Sequence, residues 1–374
     1  RAVVVTGCMA TSHRRLLEER FPEVDAFLDL ESEAAVAETL RRLLPRKGTG
    51  KRRAARARFA PGARLLLTPP HTAYLRIADG CSRACSFCTI PRIRGPYRSR
   101  PMEEVIAEAE ALAAAGVKEL NLIAQDSTAY GLDLGNRGLL PELLGQLASI
   151  GGIRWIRILY AYPTEVTAEL LEVMACEEKV LPYLDLPLQH ASPAVLKAMR
   201  RPHRPEHLEG LIKRVRGVVP GISLRTAFII GFPGESEAEF KQLLDFCSAM
   251  EFDHVGLFTY SPEEGTDAAR LPTPVPAEVQ QERYSRLAET VQSISAHKAA
   301  GRVGSTTDVL VDAPSDVFPD FQRGRHPGQA PDIDGVVYVP RTMASLGQIL
   351  SCRLTASQGY DLFAEKPEAS PRCS

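Results

Sequence analysis

Apolar and polar positions alternate in two rhythms along the middle of the chain. Short apolar runs with the length of buried strands occupy residues 74–79, 119–124, 155–160, 183–188, 222–230 and 254–260. Amphipathic segments at helical spacing separate them, so the series predicts six strand-then-helix units and a parallel sheet with right-handed crossovers. Because eight units close a full barrel, we expect an α/β fold with a partial, TIM-like (β/α)6 barrel, whose chemistry belongs at the carboxyl ends of the strands.

Local signals indicate where two of the helices begin. Pro101 precedes one helix, which Gly116 should end, and acidic residues fill its first turn. Ser236 and Glu239 have the spacing of a capping box ahead of apolar residues at helical intervals. The barrel core is therefore expected over residues 71–300.

The pattern changes after residue 301. Strand-like runs at residues 303–312, 335–339, 348–355 and 360–364 follow one another through Gly, Pro and Asp turns, without intervening helices. We predict a small antiparallel β-barrel over residues 301–365.

A basic linker is predicted at residues 46–70. Residues 41–58 contain nine basic side chains and no acidic one, and glycines and prolines punctuate the region. Contact with RNA phosphates is one interpretation. A solvated connector is the other, because no aromatic residue interleaves before Phe59.

Composition narrows the class of protein. Lys plus Arg total 45 against 46 Asp plus Glu, which argues against a histone-type carrier of nucleic acid. No apolar run approaches the roughly 18 residues of a membrane helix, so no membrane association is expected. The eight cysteines are too few for a disulfide scaffold and indicate metal binding in a reducing, cytoplasmic compartment. The valines at residues 3–5 look like the middle of a strand, so we expect an upstream piece before this chain.

Three cysteines form the sharpest motif. Cys81, Cys85 and Cys88 have the spacing C-x-x-x-C-x-x-C directly after the first predicted strand, and Gly80 and Pro91 bracket them as a loop. Structural zinc normally takes four protein ligands, and a zinc-stabilised RNA- or ribosome-binding module stays open as the second interpretation. A four-iron cluster held by only three cysteines would leave one iron open to an outside ligand.

The cysteine spacing after the first strand of a partial barrel resembles the radical S-adenosylmethionine (SAM) superfamily. The resemblance implies a [4Fe–4S] cluster whose open iron binds SAM, and reductive cleavage that yields a hydrogen-abstracting 5′-deoxyadenosyl radical. It also implies that Phe87 lies near the adenine of SAM, Gln125 near its amino group, Arg225 near its carboxylate or ribose, and Gly231 on the adenine side. Independently of the resemblance, Gln125 follows the end of a predicted strand, and the guanidinium of Arg225 is suited to bind a carboxylate.

A narrower resemblance concerns the methylthiotransferase family. Residues 5–10, Val-Thr-Gly-Cys-Met-Ala, look like the end of that family's amino-terminal α/β domain, which implies that residues 1–45 are its truncated last part. Cys8 would be one ligand of a second, auxiliary [4Fe–4S] cluster, with the other ligands upstream of Arg1. The terminal barrel resembles a TRAM domain, and the residues that carry this likeness are Gly324, Asp332, Asp334 and Gly335.

Two branches of that family modify different substrates. Residues 187–192, 224–226, 231–235 and 260–266 look like the RimO-type branch, which implies transfer of a methylthio group to the β-carbon of an aspartate in the twelfth protein of the small ribosomal subunit. The alternative is a tRNA adenosine methylthiotransferase. From Gly301 to the end there are seven basic and nine acidic residues, which suits a basic protein partner better than RNA. Further expected partners are ribosomal RNA at the linker and an electron donor protein.

Other polar residues receive weaker interpretations. His190 is expected to be a structural histidine. Glu263 and Glu264 are either a solvated loop or a holder of a basic peptide, because hydrogen abstraction by a radical needs no general base to begin.

Overall fold

Residues 1–44 form a small α/β unit in the computed structural model, which describes residues 1–44, 65–201 and 203–367. Its elements are β1 (Val4–Thr6), α1 (Cys8–Ser12), α2 (Arg14–Arg20), β2 (Ala26–Leu28) and α3 (Val36–Leu43). β1 and β2 pair in parallel. Most of the basic linker, residues 46–64, lies outside the described residues, and its role stays a prediction.

Six parallel strands form the central sheet, in the order β10-β9-β8-β7-β6-β3. The strands of this region are β3 (Thr72–Arg76), β4 (Ala78–Asp79), β5 (Arg98–Ser99), β6 (Glu119–Ile123), β7 (Trp155–Ile158), β8 (Val180–Asp185), β9 (Ser223–Ile230) and β10 (His254–Thr259). Within the central sheet, each strand pairs with the sheet strands that come before and after it along the chain, and β3 and β10 are the two edges. β4 and β5 form a separate pair. The predicted partial barrel is confirmed.

Helices follow the strands and cover the outer face of the sheet. They are α4 (Ile90–Arg94), α5 (Met102–Ala114), α6 (Leu139–Ser149), α7 (Ala168–Cys176), α8 (Pro193–Ala198), α9 (Pro205–Val218), α10 (Glu237–Met250) and α11 (Ala277–Arg302). α5 begins directly after Pro101, and α10 has both hydrogen bonds of the capping box between Ser236 and Glu239. No helix of the described ranges is both long and apolar enough to cross a lipid bilayer.

The first predicted strand is divided in two. β3 ends at Arg76, and after Ile77 the residues Ala78 and Asp79 form β4, which pairs antiparallel with β5 rather than joining the central sheet. This side pairing redirects the chain just before the cysteine motif.

Alternate residues of the strands serve two cores. Ile156 and Ile158 of β7 belong to the large core between the sheet and the outer helices. Trp155 and Leu159 belong to a second core that includes Leu310 of the terminal barrel. The terminal barrel therefore packs against the inner face of the sheet, which explains why β7 is buried on both sides.

The terminal barrel is closed by five strands, in the order β11-β12-β13-β15-β14. They are β11 (Thr306–Pro314), β12 (Phe321–Arg325), β13 (Val337–Pro340), β14 (Ile349–Gln358) and β15 (Asp361–Glu365). The sequence pattern predicts four of them and misses β12, whose polar residues and glycine do not alternate like a strand. Gly324 is needed there because a Cβ atom would lie 2.6 Å from the carbonyl oxygen of Leu310.

Buried ion pairs fasten the terminal barrel to the amino end of the sheet. Glu119, the first residue of β6, accepts hydrogen bonds of 2.6 and 2.8 Å from the guanidinium of Arg325 and one of 3.2 Å from Arg157. The same Arg325 guanidinium binds Asp312 at 2.7 and 2.9 Å. Burial alone would raise the pKa of Glu119, but Arg325, Arg157 and Thr72 together outweigh it and lower that pKa to about 2. The opposite, carboxyl end of the sheet has buried ion pairs of its own, in which Arg83 binds Asp126 and Glu165, and Arg283 binds Glu235.

Candidate active site

The cysteine loop begins directly after β4. Gly80 has a φ of +76°, and a Cβ atom there would collide with the backbone of Gly95 and Pro96. The N–H of Cys81 donates to the carbonyl of Gly95 at 3.1 Å. A glycine is therefore required for the loop to fold back against residues 95–96 and present its cysteines above the sheet.

The three cysteines line one cavity of about 570 Å³. Residues that follow three different strands close its other sides. They are Gln125 after β6, Tyr160 and Tyr162 after β7, and Gln189 and Arg201 after β8. A second cavity of about 380 Å³ shares these five residues and extends to Phe258 and Tyr260 at the end of β10. The two cavities form one open space at the carboxyl ends of the strands.

The three thiols are sulfur donors of the kind that iron–sulfur clusters use. No three Cys, His, Asp or Glu side chains of the described ranges converge as the ligands of one metal ion must. A four-iron cubane binds each cysteine at a different iron, so its sulfur ligands are spread apart. Burial raises the pKa of the Cys81 and Cys88 thiols, so a bound metal must supply the charge that holds them as thiolates.

An ion-pair group holds the cysteine loop against the sheet. Arg83, inside the motif, donates from Nε and Nη2 to Asp126 at 3.0 and 2.9 Å and from Nη2 to Glu165 at 3.1 Å. Its guanidinium lies 3.9 Å from the ring centre of Tyr162. Asp126 and Glu165 are almost fully buried, which makes these bonds strong and fixes the loop relative to β6.

Two residues of the cavity wall have strained backbones. Tyr160 has a φ of +59° and Gln189 a φ of +74°, values that residues other than glycine rarely adopt. Hydrogen bonds from neighbouring segments hold both in place. The N–H of Tyr160 donates to Asp185 at 3.1 Å, and that of Gln189 donates to the carbonyl of Ala227 at 2.8 Å. Such over-determined strain is typical of functional sites.

Cys8 lies on the other side of α4 from this cavity. It is exposed at the start of α1, and Nη2 of Arg94 lies 3.8 Å from its sulfur. A third cavity, of about 460 Å³, is lined by Cys8 together with Arg92, Glu263 and Glu264. Arg94 also lines the cavity of the three cysteines, so one short helix separates the two cysteine sites.

Comparisons with known proteins identify the family. The model of the Radical SAM superfamily matches residues 75–247, and that of the TRAM domain matches residues 303–366. The ribosomal protein uS12 methylthiotransferase RimO of Moorella thermoacetica is 46% identical, with 97% of this chain and 83% of the relative covered. The same enzyme of Syntrophus aciditrophicus is 44% identical, over 98% of this chain and 82% of the relative. This chain belongs to the RimO family. Among solved structures, the cobalamin-dependent SAM radical enzyme OxsB matches with a TM-score of 0.49 and 16% identity, over 78% of this chain and 43% of that chain.

Two of the predicted SAM contacts lie in the cavity of the three cysteines. Phe87 and Gln125 both line it. Phe87 packs edge-on against Phe232, with ring centres 6.4 Å apart. The Oε1 atom of Gln125 is buried and has no hydrogen-bond partner among the described residues, so it is free to accept one from a ligand.

The other two predicted contacts lie elsewhere. Arg225 is near the amino end of β9, where its guanidinium is 3.8 Å from Asp185 and 3.9 Å from Asp334. It lines a different cavity, beside the terminal barrel. Gly231 is not among the residues that line the cysteine cavity, and its N–H donates to Glu235 at 2.9 Å. Both assignments to SAM stay predictions, and neither residue is brought together with the cysteines.

His190 is bonded through both ring nitrogens. Its Nε2 lies 3.2 Å from Glu235, and its Nδ1 accepts the N–H of Ser192 at 2.9 Å. With no exposed surface, the ring serves the packing of the loop after β8. Sequence patterns do not predict that Tyr162, Glu165 and Arg201 belong to this candidate active site. Only their positions after strand ends, the same signal that identifies Gln125, could have indicated them.

Proposed function

We propose that this chain is a radical SAM methylthiotransferase that adds a methylthio group to the β-carbon of an aspartate in ribosomal protein uS12. The observation that carries the proposal is that Cys81, Cys85 and Cys88 all line one open cavity at the carboxyl ends of the strands. Membership of the RimO family supports the choice of substrate. A zinc-stabilised binding module would not need a cavity of this size beside its ligands.

The three cysteines would hold the [4Fe–4S] cluster through three of its irons. When bound, the cluster supplies the electron that cleaves SAM and so provides a hydrogen-abstracting radical. The chain's own residues do the positioning. Oε1 of Gln125 is available to accept an N–H of the SAM amino group, and Phe87 offers a ring face to the adenine. Arg83 and its carboxylate partners keep the loop fixed while the substrate carbon is held in reach.

An auxiliary [4Fe–4S] cluster is proposed at Cys8. The support is its exposed sulfur, the cavity around it, and the guanidinium of Arg94 as a cationic neighbour 3.8 Å from the sulfur. Glu263 and Glu264 line this cavity rather than the cavity of the three cysteines. They are therefore placed to meet a basic substrate segment as it approaches between the two sites.

The surface charge of the terminal barrel favours a protein substrate over the alternative, a tRNA adenosine. Arg325, one of its few cations, is consumed by buried carboxylates. The exposed aspartates of the barrel include Asp308, Asp316, Asp320 and Asp332. An acidic surface repels phosphates and attracts a basic ribosomal protein. Contact of the basic linker with ribosomal RNA, reduction by an electron donor protein and a cytoplasmic location belong to the same proposal and rest on the sequence.

The test offers both substrates to the enzyme after anaerobic reconstitution with iron and sulfide. Mass spectrometry follows the methylthio increment on the uS12 aspartate and on tRNA nucleosides, and liquid chromatography follows 5′-deoxyadenosine. We expect the increment on uS12 alone. An increment on tRNA would transfer the chain to the other branch, and zinc without iron after anaerobic purification would contradict the enzyme assignment.

A further inference from the structure

Four arginines line the cavity of the three cysteines, and they differ in their partners. Arg76 and Arg94 both pair with Asp79, at 3.3 and 3.1 Å. Arg83 is held by two carboxylates, as described above. Arg201 has no carboxylate partner in the part of the chain that the structure describes. It is the cavity's uncompensated cation among these residues.

The surroundings of the Arg201 side chain leave part of its hydrogen-bonding capacity unused. Only 9% of the residue is exposed. Nη1 donates to the carbonyl of Pro187 at 2.8 Å, whereas Nε is buried and has no partner among the described residues. The guanidinium lies 4.8 Å from the ring centre of Tyr162. A buried cation with an unused N–H group is costly, unless a ligand completes it.

The backbone is built to turn this side chain inward. The N–H of Arg200 donates to the carbonyl of Lys197 at 3.0 Å, and that of Arg201 donates to the carbonyl of Leu196 at 2.8 Å. These are the two bonds of a Schellman motif at the end of α8. Arg200 occupies its left-handed position with a φ of +55°, and its side chain is exposed and pairs with Asp267. The turn therefore sends one arginine to solvent and the next into the cavity.

The positive charge of Arg201 acts on the neighbouring side chain of His203. The pKa of His203 is lowered to about 4, first by burial and then by the positive charge of Arg201. A neutral imidazole offers no negative charge to the guanidinium. The environment of Arg201 thus supplies a positive potential at the wall shared by the two cavities.

We propose that Arg201 is the carboxylate-binding residue of the active-site cavity. The inference rests on the proposed function, in which two carboxylates enter this space: that of SAM and that of the target aspartate. Both have the same planar, anionic chemistry, which a guanidinium binds with two parallel hydrogen bonds and a lysine cannot match. The inference assigns to Arg201 the carboxylate contact that the superfamily resemblance implies for Arg225, whose guanidinium already lies beside two carboxylates.

The experiment compares Arg201→Gln and Arg201→Lys with Arg200→Gly in cluster-loaded enzyme. The control removes a positive charge one residue away and suits the left-handed backbone at that position. Equilibrium dialysis measures the affinity for SAM and for decarboxylated SAM. Loss of a charge-assisted hydrogen bond should weaken binding by roughly 10- to 100-fold. If Arg201 binds SAM, Arg201→Gln weakens SAM to that extent and abolishes its advantage over decarboxylated SAM.

The second arm uses uS12 and its Asp→Asn variant at the modified position. If Arg201 binds the aspartate, SAM affinity is unchanged, the affinity for uS12 falls by a similar factor, and the preference for Asp over Asn disappears. Binding of uS12 is followed by anisotropy, so this arm gives a result even when no methylthio transfer is seen. Arg201→Lys should rescue neither preference fully.

Two results would overturn the proposal. One is that Arg201→Gln leaves both affinities within twofold of the parent enzyme. The other is that Arg200→Gly reduces either affinity as much as Arg201→Gln does, because a general positive field would then suffice. If Arg201→Gln binds less iron, the affinities are measured per loaded cluster, and Arg201→Lys, which keeps the charge, decides between lost folding and lost recognition.

Discussion

The two ends of the central sheet differ in how their buried polar groups are paired. At the amino end, Glu119 is buried and saturated by Arg157 and Arg325, and the terminal barrel is fastened over it. At the carboxyl end, Oε1 of Gln125 and Nε of Arg201 are buried without partners among the described residues. Buried ion pairs occur at both ends, but the unpaired atoms of Gln125 and Arg201 belong to residues that line the cavity of the three cysteines, where a ligand can complete their hydrogen bonds.

The difference shows where this fold places its stability and where it places its reactivity. Ion pairs at the amino end join the sheet to the barrel, and removing one partner of such a buried pair is strongly destabilising. The strained backbones of Tyr160 and Gln189 lie at the carboxyl end, in the wall of the cysteine cavity. Changes at the amino end should therefore alter unfolding, and changes at the carboxyl end should alter catalysis.

The largest expected effect is loss of the cysteine site. Cys81→Ala should abolish reductive cleavage of SAM, because a cluster with two remaining ligands cannot be held with one open iron. Formation of 5′-deoxyadenosine should fall to background, while equilibrium unfolding of the cluster-free protein changes by about 1 kcal/mol or less. Cys176→Ala, at an exposed cysteine on α7, is the control and should keep full activity. Intact cleavage in Cys81→Ala would remove the basis of the proposed function.

The next effect concerns the amino end. Arg325→Met should destabilise the protein by about 3–5 kcal/mol, because it leaves the buried Glu119 carboxylate with fewer partners. Arg323→Met on the same strand is the matched control, since its side chain is 43% exposed and 3.8 Å from Asp316, and it should cost about 1 kcal/mol or less. Urea unfolding measures both. Equal effects in the two variants would contradict the special role of the buried network.

Acid should weaken the same end of the sheet. The pKa of Glu119 is lowered from 4.5 to about 2, so the unfolded chain binds its proton first. Its contribution is fully present above about pH 4.5 and is lost as the pH falls towards about 2, by about 3 kcal/mol in total. Unfolding of the cluster-free protein across this range measures the loss. In Glu119→Gln the slope should be smaller, and an unchanged slope would assign it to other carboxyl groups.

The smallest expected effect is relief of strain at the carboxyl end. Gln189→Asn should raise stability by about 0.5 kcal/mol, because Asn tolerates the left-handed backbone better. Activity should fall by about tenfold, because the shorter side chain alters the cavity wall. Glu251→Asn, at a φ of +45° after α10 and outside the cavity, should gain stability without losing activity. Similar activity losses in both variants would show that strain relief itself, rather than the cavity wall, matters.

Much of the fold follows from apolar periodicity, because buried strands and amphipathic helices leave strong local patterns. Strand β12 escapes this logic. Its Phe-Gln-Arg-Gly-Arg sequence is polar, yet Gly324 and Arg325 are buried by a close strand contact and by ion pairs from another domain. Such burial depends on partners far along the chain, which local patterns do not contain.

The site shows the same division. The cysteine spacing and the strand-end position of Gln125 are visible in the sequence, and the RimO family resemblance is confirmed by the relatives. The bond between Arg83 and Glu165 joins residues 82 positions apart and exists only because the topology brings two loops together. Arg225 illustrates the converse. It is the third residue of β9, so its place near the amino end of that strand keeps it away from the cysteines.

The long helix α11 runs beside β9 from one end of that strand to the other. Arg283 near its beginning binds Glu235 beyond the carboxyl end of β9, and Arg302 at its end binds Ser223, the first residue of that strand. Its 26 residues span about 39 Å. One continuous element therefore connects the end of the sheet that carries the active site with the end where the terminal barrel packs.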